Sequence, residues 1–444
     1  MKRTVCLLGI MALLTASATA GILTNNNQSA TFIRLMSRNA SLDIDAVYYN
    51  PAGLVKLSDG FHLSLHNQFI TQDKKIINGF PLLNDPNYLG EVRVPFFPNL
   101  YAVYKKGNLA ISFGFGPNAG GGTADFKTGL PSFEIPFSTL PVLLTNMGVP
   151  TTAYDLNIAF KGESVFLGYQ LNFSYALSPS LALGVGARLI QATNKYEGSI
   201  TDIMINPGGT WVSAYNFFMS IGQTGYAAMV ADKEVNAKQT GTGFTPILSL
   251  CFTPSDSLAF SLKYEFNTKL ELTNKTTVDD TGLFPDGEKF RNDIPAILSA
   301  GLRYAFSPSF RSFLSFSYYF DKNAKNPGWE GEGGASLINK NTYELGLGLE
   351  YDLSRLVTLS AGYLRTQFDL TPEFQDDINH ELTSDSVGGG LKLNLTNKLS
   401  LELGALYVFY KKYEKQDTVY PFPAYPVTFN RTTVDVAVGV NYRF

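Results

Sequence analysis

Hydrophobic and polar residues alternate along the last thirteen residues of the chain, TTVDVAVGVNYRF. Asp435, Asn441 and Arg443 occupy one set of alternate positions, and the other set is apolar: Val434, Val436, Val438, Val440, Tyr442 and Phe444. Successive side chains of a strand point to opposite faces, so the pattern predicts a β-strand with one apolar and one polar face. The segment NTYELGLGLEYD, residues 341–352, divides in the same way.

Fourteen segments of this kind follow one another after the N-terminal region. We expect them to begin near residues 60, 97, 109, 162, 181, 242, 257, 293, 310, 341, 356, 383, 399 and 431. The joints between them alternate between tight turns rich in Pro, Ser, Asp, Asn and Gly and longer loops, of which 117–160 and 201–240 are the largest. An even strand number with short turns on one side and long loops on the other is typical of bacterial transmembrane barrels.

Composition supports a membrane barrel over a secreted β-sandwich or propeller. Charged residues make up 16% of the chain, which also has 40 Gly, 33 Phe and 24 Tyr, whereas soluble domains have about 25% charged residues. No run of eighteen apolar residues follows the N-terminal region, and a bilayer admits only helices or closed barrels. We therefore predict an all-β fold, a 14-stranded antiparallel transmembrane β-barrel with a polar lumen.

The N-terminus has the features of a cleaved secretory signal over residues 1–20: Lys2 and Arg3, an apolar stretch from Val5 to Leu14, and the ending Ala18-Thr19-Ala20. Cys6 leaves with it, so the mature chain keeps only Cys251 and has no intramolecular disulfide. The expected location is the bacterial outer membrane, with both termini in the periplasm.

Residues 21–56 lack strand alternation and have helix-like spacing at Phe32, Leu35 and Met36. We interpret this segment as a partly helical plug in the lumen of a barrel that comprises residues 57–444, and the alternative is a disordered tail. Pro51 restricts Asn50 to an extended conformation. The turn Asn50-Pro51-Ala52-Gly53 would then lead the chain from the lumen into the wall.

The stretch RLMSRNASLDIDAVYYNPAGL, ending in Asn-Pro-Ala before the first strand, resembles the N-terminal hatch of the outer-membrane long-chain fatty acid transporter family, also called the FadL or toluene-transporter family. The strand count and the C-terminal Phe444 are similar too. The resemblance implies a monomeric, passive transporter of hydrophobic small molecules that acts without a cofactor, is surrounded by membrane lipid and lipopolysaccharide, and is recognised through Phe444 by the barrel-assembly machinery.

The resemblance also implies an inward kink in the third strand, which opens a lateral window against which the Asn-Pro-Ala segment lies. A small movement of the plug would gate passage of the ligand, which would then leave sideways through the window. The segment LAISFGFGPNAGGGTADF agrees with such a kink, because proline removes a backbone donor and glycine permits sharp bends. The alternative is that it begins the second outer loop. The candidate kink residues are Gly114, Gly116, Pro117, Asn118, Gly120, Gly121 and Gly122.

The two longest loops are rich in large apolar residues, which are costly to expose unless they pack together or bind a ligand. The resemblance implies that ligand is captured there, whereas the alternative is packing of loop on loop. The candidates are Phe133, Phe137, Leu140, Leu143, Leu144, Met147, Trp211, Phe217, Phe218 and Met219. For an acidic ligand, Arg34 and Arg38 of the plug are candidate contacts of its carboxylate.

Other function classes have little support in the sequence. His62, His66 and His380 are the only histidines, and we find neither a hydrolase nucleophile motif nor a metal-ligand cluster. GFGPNAGGG lacks the Gly-Lys-Ser/Thr ending of a phosphate loop, and a net charge of -3 does not favour nucleic-acid binding. The remaining alternative is a general diffusion porin for hydrophilic solutes.

Overall fold

The wall of the barrel is built from antiparallel strands. A computed structural model describes residues 29–444, so residues 1–28, among them the predicted signal peptide, lie outside the described part. The strands are β1 (Gly60–Asn78), β2 (Asn87–Lys106), β3 (Leu109–Phe126), β4 (Thr151–Ala176), β5 (Leu181–Pro207), β6 (Val212–Ser213), β7 (Lys233–Ser255), β8 (Leu258–Glu265), β9 (Glu271–Asp279), β10 (Lys289–Arg291), β11 (Ile297–Ser307), β12 (Phe310–Tyr319), β13 (Ile338–Asp352), β14 (Val357–Leu370), β15 (Ser384–Asn394), β16 (Leu399–Tyr410), β17 (Tyr413–Asp417) and β18 (Tyr425–Arg443).

These segments form fourteen wall strands, which confirms the predicted fold class. β8 and β9 both pair with β7, and on their other side β8 pairs with β11 and β9 pairs with β10. β16 and β17 both pair with β18. Each of the couples β8/β9, β10/β11 and β16/β17 is therefore one interrupted wall strand. The short β6 pairs with β5 inside a loop. β1 pairs with β18 over His62 to Asn78, which closes the sheet.

The strands extend further towards the long loops than the sequence predicted. The second and third long connections occupy 127–150 and 208–232, not 117–160 and 201–240. The residues expected in loops but found in strands are 117–126 of β3, 151–160 of β4, 201–207 of β5 and 233–240 of β7. The β4–β5 hairpin, for example, pairs from Ala176 and Ala182 to Thr151 and Pro207. Backbone pairing continues there although the side chains no longer alternate between an apolar and a polar face.

The alternation predicted for the last strand is present in three dimensions. Asp435 and Ala437 are buried inside the barrel, whereas Val436 and Val438 on the outer side are 43% and 39% exposed. The outer face therefore presents a continuous band of apolar side chains. Within residues 29–444, no helix has the length and hydropathy that crossing a membrane requires.

The helical segments occupy the lumen and the long loops. In the lumen, Ser29 Oγ accepts a hydrogen bond from the Phe32 amide and caps the first helix. The helices are α1 (Ala30–Leu35), α2 (Ala46–Tyr49) and a 3₁₀ helix (Pro51–Lys56) in the plug, α3 (Pro131–Ser138) and α4 (Leu140–Asn146) after β3, and α5 (Ala214–Ser220) and α6 (Thr224–Met229) after β6, with 3₁₀ turns at Asp321–Asn323, Pro327–Trp329 and Glu332–Gly334.

The plug fills the barrel near the short-turn end. Its Phe32, Val47, Tyr49 and Leu54 are buried in one apolar cluster with inward residues of the wall, among them Tyr101. A disordered tail is therefore wrong for residues 29–56.

Candidate functional site

The first plug helix is bound to the wall through Arg34. The guanidinium is 1% exposed and lies between two glutamates, with Nε 2.9 Å from Glu402 Oε2 on β16 and Nη1 2.7 Å from Glu350 Oε2 on β13. Thr31 Oγ1 also donates to Glu402 Oε2, at 2.7 Å. Glu350 Oε1 is also bound by Arg311 on β12, at 2.6 Å, so two cations and two carboxylates meet at this attachment.

Arg38 is held inside the plug itself. Its guanidinium donates to both carboxylate oxygens of Asp45 at 2.6 and 2.8 Å, to Asp43 at 2.7 Å and to Ser41 at 2.6 Å. Arg38 and Arg34 are both fully buried. Their assignment as contacts of a ligand carboxylate is therefore corrected, because carboxylates of the protein already occupy both guanidinium groups.

The second plug helix is bound to the opposite side of the wall. Gln170 and Asn172 on β4 donate to the Val47 carbonyl at 2.8 and 3.1 Å, and Lys263 on β8 donates to the Tyr48 carbonyl at 2.8 Å. The Arg188 guanidinium stacks over the Tyr48 ring at 4.6 Å and is paired with Glu265 at 2.6 Å. Polar side chains of the wall thus hold the plug backbone at several points.

The turn Asn50-Pro51-Ala52-Gly53 packs against three strands at the short-turn end. Ser174 on β4 donates to the Pro51 carbonyl at 2.7 Å, and the Ala52 amide donates to Ser249 Oγ on β7 at 3.1 Å. Gly53 has no room for a side chain, because a methyl group there would lie 2.6 Å from the Ser41 carbonyl oxygen.

The expected contact of this turn with a window in β3 requires correction. Ser174 pairs with Ala110, six residues below Gly116 on β3, a separation of about 20 Å at strand spacing. The plug residue that approaches β3 closely is Val47, whose Cγ1 would lie 2.9 Å from a methyl group added at Gly114.

An open seam separates β2 from β3 in the middle of the wall. Pairing between these strands runs from Lys106↔Leu109 to Leu100↔Phe115, stops, and resumes at Val92↔Ala124. We define the open seam as residues 93–99 of β2 and 116–123 of β3. Over the same residues β3 still pairs with β4, with irregularities at Pro117/Ala119 and Gly120/Gly122, so this segment belongs to the strand and not to the loop.

The candidate glycines lie along the seam and fit against β2. A methyl group at Gly116 would lie 2.2 Å from Asn99 Oδ1, and one at Gly122, where φ is +85°, would lie 2.6 Å from Val94 Cγ2. Gly121 faces open space, and Gly120 has a φ of +82° next to a bulge. Pro117 and Asn118 are buried between them.

Sequence analysis missed the part of the seam that lies on β2. The segment PFFP, residues 95–98, places two residues without an amide hydrogen opposite the unpaired part of β3. Asn67 on β1 compensates, since its Oδ1 accepts from the Phe97 amide at 3.0 Å and its Nδ2 donates to the Pro95 carbonyl at 3.1 Å. The two prolines in one strand were the signal in the sequence that could have indicated this interruption of pairing.

The long loops enclose an outer cavity of about 420 Å³ with a mainly apolar lining. Three of the ten candidate residues line it: Phe133, Phe137 and Leu140. Sequence analysis missed much of the remaining lining, which includes Phe160, Tyr226, Met229, Val230, Leu283, Phe284 and Ile378. Leu283 and Phe284 belong to the β9–β10 loop. The sequence analysis considered only the two longest loops, so it did not include this shorter one.

The other seven candidates do not line this cavity. Leu144 and Phe218 are fully buried in a cluster that joins α4 and α5 to β4 and β5, with Leu143 and Phe217 packed against it. Met147, Trp211 and Met219 are 41%, 49% and 45% exposed. This cavity therefore gives their prediction as ligand contacts no support, since these side chains either join loop to loop or face outwards.

A second, inner cavity of about 360 Å³ lies between the plug and the outer cavity. Phe32 and Met36 of the plug form part of its lining, and Gly120 to Gly122 place it against the open seam. Phe160 and Ile378 line both cavities and so separate them. Ile378 belongs to the β14–β15 loop, residues 371–383, which is joined to α3 by a hydrogen bond from the Ser132 amide to Asp377 Oδ2 at 2.7 Å.

The acidic residues of this loop are strongly affected by their surroundings. Burial, reinforced by the neighbouring Asp377, raises the pKa of Asp376 to about 7, and burial also raises the pKa of Asp377. Asp376 Oδ1 accepts from the Ile378 amide at 2.9 Å. Protonation of this carboxyl group is therefore coupled to the loop that separates the two cavities.

The histidines have structural positions. His66 lies beneath the plug, where its Nδ1 accepts from the Ala30 amide at 3.2 Å and its Nε2 contacts the buried Ser64 hydroxyl. His62 bonds the Ser58 carbonyl at 2.8 Å, and His380 stacks on Phe429 at 4.8 Å.

Comparison with known proteins extends the resemblance from residues 21–70 to the whole fold. No protein-family model and no curated protein matches the chain. Solved structures do. A Pseudomonas aeruginosa FadL homologue has a TM-score of 0.64 at 13% identity and covers 96% of this chain and 100% of its own. The P. putida toluene transporter TodX has a TM-score of 0.58 at 16% identity, with 90% and 94% covered. The Ralstonia pickettii toluene transporter TbuX has 0.59 at 14%, with 94% and 98% covered. The chain therefore shares the fold of these transporter structures, as the resemblance predicted.

Proposed function

We propose that this protein is a passive outer-membrane transporter of hydrophobic small molecules, which it releases sideways into the bilayer. The observation that carries the proposal is the arrangement of two successive cavities that end at a stretch of wall without strand pairing. The solved structures with this fold are named as toluene transporters, monoaromatic hydrocarbon channels and a FadL homologue.

The proposed path begins in the outer cavity, where Phe133, Phe137 and Leu140 capture the ligand. It continues past Phe160 and Ile378 into the inner cavity and leaves at Gly120 to Gly122. The outer cavity is mainly apolar, the inner cavity offers apolar side chains of the plug, β2 and β3, and the bilayer is the final and most favourable environment for an apolar molecule. No energy source or cofactor is required.

In this proposal the long loops face the medium and both termini face the periplasm. The protein acts as a monomer surrounded by lipid and lipopolysaccharide. The half-exposed Phe444, whose ring contacts Phe61 at 5.3 Å and Tyr442 at 4.7 Å, would be the element read by the barrel-assembly machinery.

The plug separates this proposal from a general diffusion porin. Residues 29–56 are packed into the lumen and bound to the wall on both sides, which disfavours an axial aqueous channel. Transport that avoids the plug requires an exit through the wall, and the open seam provides the shortest route from the inner cavity.

Two measurements on the refolded protein test the function. Vesicles that contain it should take up a labelled alkane or aromatic hydrocarbon from the medium faster than protein-free vesicles, and planar bilayers should show little ion conductance. A large, steady ion conductance without faster hydrocarbon uptake would contradict the proposal and favour the porin.

A further inference from the structure

The two arginines of the plug are already paired with carboxylates of the protein. Arg34 is shared by Glu350 and Glu402, and Arg38 is bound by Asp43 and Asp45. The lining of the inner cavity has five acidic residues, Glu163, Glu344, Asp377, Glu381 and Asp435, and two basic ones, Lys74 and Arg431, so an ionised carboxylate would meet an excess of acidic groups. This observation bears on which hydrophobic molecules the inner cavity accepts, a question that rests on the proposed function.

Asp435 on β18 is a buried acceptor that faces the inner cavity. Its side chain lines the cavity and is 3% exposed. The residues paired with it on the two neighbouring strands are Ile70 and Leu406, both apolar. Among residues 29–444, Asp435 Oδ1 has no hydrogen-bond partner. A buried carboxyl oxygen without a donor is costly, so a donor supplied by a ligand would be stabilising.

The cavity's cations lie away from Asp435. Lys74 pairs in register with Arg431, four residues from Asp435 along β18, or about 13 Å at strand spacing. Arg431 donates to the His380 carbonyl at 2.7 Å and contacts Glu381 at 3.4 Å. These cations therefore belong to the outer end of the cavity, beside the β14–β15 loop.

The part of the cavity lining that β2 and β3 contribute is apolar, and β1 alone separates β2 from β18. Val92, Phe97, Ala124 and Phe126 line the cavity on β2 and β3 next to the open seam. A ligand that spans the cavity would thus have a polar end at β18 and a hydrocarbon end at the exit.

We propose that the inner cavity binds uncharged amphipathic molecules whose hydroxyl group donates a hydrogen bond to Asp435, and that it discriminates against ionised carboxylates. The hydrocarbon part of the bound molecule contacts Phe97 and Phe126. The preferred substrates are then neutral alcohols and phenols, together with plain hydrocarbons that bind less tightly.

The test compares dodecanol, dodecanoate and dodecane as probes of the refolded full-length protein at about pH 8, where a fatty acid is ionised. We expect wild type to bind dodecanol about tenfold more tightly than dodecanoate, the size of one good hydrogen bond. Asp435→Leu should lose about tenfold in dodecanol affinity and leave dodecane affinity unchanged. Asp435→Asn keeps an acceptor oxygen, so it should retain dodecanol binding and improve dodecanoate binding.

Two results would overturn this inference while leaving transport intact. One is tighter binding of dodecanoate than of dodecanol in wild type, with the preference abolished by Lys74→Met. The other is equal dodecanol affinity in wild type and Asp435→Leu. Failure of all three probes to bind saturably would instead contradict the proposed function itself.

Discussion

The plug and the β2–β3 seam are joined to the barrel in opposite ways. The plug is continuous with the wall only at its C-terminal end. It is nevertheless fixed to β13 and β16 by Arg34, and to β4 and β8 by the Val47 and Tyr48 carbonyls. The seam is part of the wall, yet it lacks pairing over 93–99 and 116–123. The difference supports the proposed exit through the wall, by which a ligand would leave without displacement of the plug.

The largest expected effect comes from breaking the plug's attachment. Arg34→Met leaves Glu402 buried without its cation, whereas Glu350 keeps Arg311, and we expect the free energy of unfolding to fall by about 3–5 kcal/mol. The measurement is urea unfolding of the refolded barrel. Lys56→Met is the control, since Lys56 contacts only the Pro179 carbonyl at the exposed end of the plug. Equal unfolding midpoints for the two variants would show that ion pairing does not hold the plug.

A smaller effect is expected from a change at the seam. In Gly116→Ala the new methyl group would lie 2.2 Å from Asn99 Oδ1, and such overpacking costs about 1–3 kcal/mol. The displaced strands should slow hydrocarbon uptake by vesicles. Gly121→Ala is the matched control, because a methyl group there meets nothing within 4 Å. Normal uptake by Gly116→Ala would mean that β2 and β3 need not keep their spacing.

A change in the outer cavity tests ligand capture independently of the plug and the open seam. Phe137→Ala removes a ring that is buried against the cavity, and we expect binding of a hydrocarbon to weaken by about 1–2 kcal/mol. Met219→Ala, at an exposed side chain outside the cavity, should bind as wild type does. Titration of tritiated hydrocarbon checks both variants, and equal losses would place the capture site elsewhere in the loops.

The smallest effect concerns pH and the β14–β15 loop. A carboxyl group with a raised pKa stabilises the folded state in acid, and that contribution is lost as the pH rises through the folded pKa, which for Asp376 is about 7. Amide hydrogen exchange in residues 371–383, corrected for the intrinsic rate, should therefore quicken as the pH rises from about 4 to about 7 and change little above that. Asp376→Asn should abolish this dependence, and persistence of the pH effect in that variant would assign it to another group.

The sequence was most informative where structure depends on local pattern. Strands that follow tight turns begin within one residue of their predicted positions, as at Leu109, Leu181 and Leu399, whereas strands that follow long loops begin earlier, as at Asn87 instead of residue 97. The residues of tight turns mark one end of each strand in the sequence. At the other end, backbone pairing continues beyond the apolar band, where no alternation of side chains marks the strand.

The site depended on contacts between distant parts of the chain. Arg34 meets Glu402 across 368 residues, so its neutralisation could not be inferred from its neighbours. The apolar loops were recognised, but only their packing decides that Phe137 lines the cavity and that Phe218 does not. The prolines of β2 were visible, and their meaning required knowledge of which strand lies beside them.

The most direct test of lateral release is to lock the seam with a disulfide. Val94 Cβ lies 3.8 Å from the Cβ position of Gly122, the usual separation in a disulfide, which is about 3.8 Å. Oxidised Val94→Cys/Gly122→Cys should lose hydrocarbon uptake and regain it on reduction. Phe113→Cys/Leu171→Cys joins residues that are already paired on β3 and β4 and should transport normally in both states. Undiminished uptake by the oxidised seam variant would contradict exit through the wall.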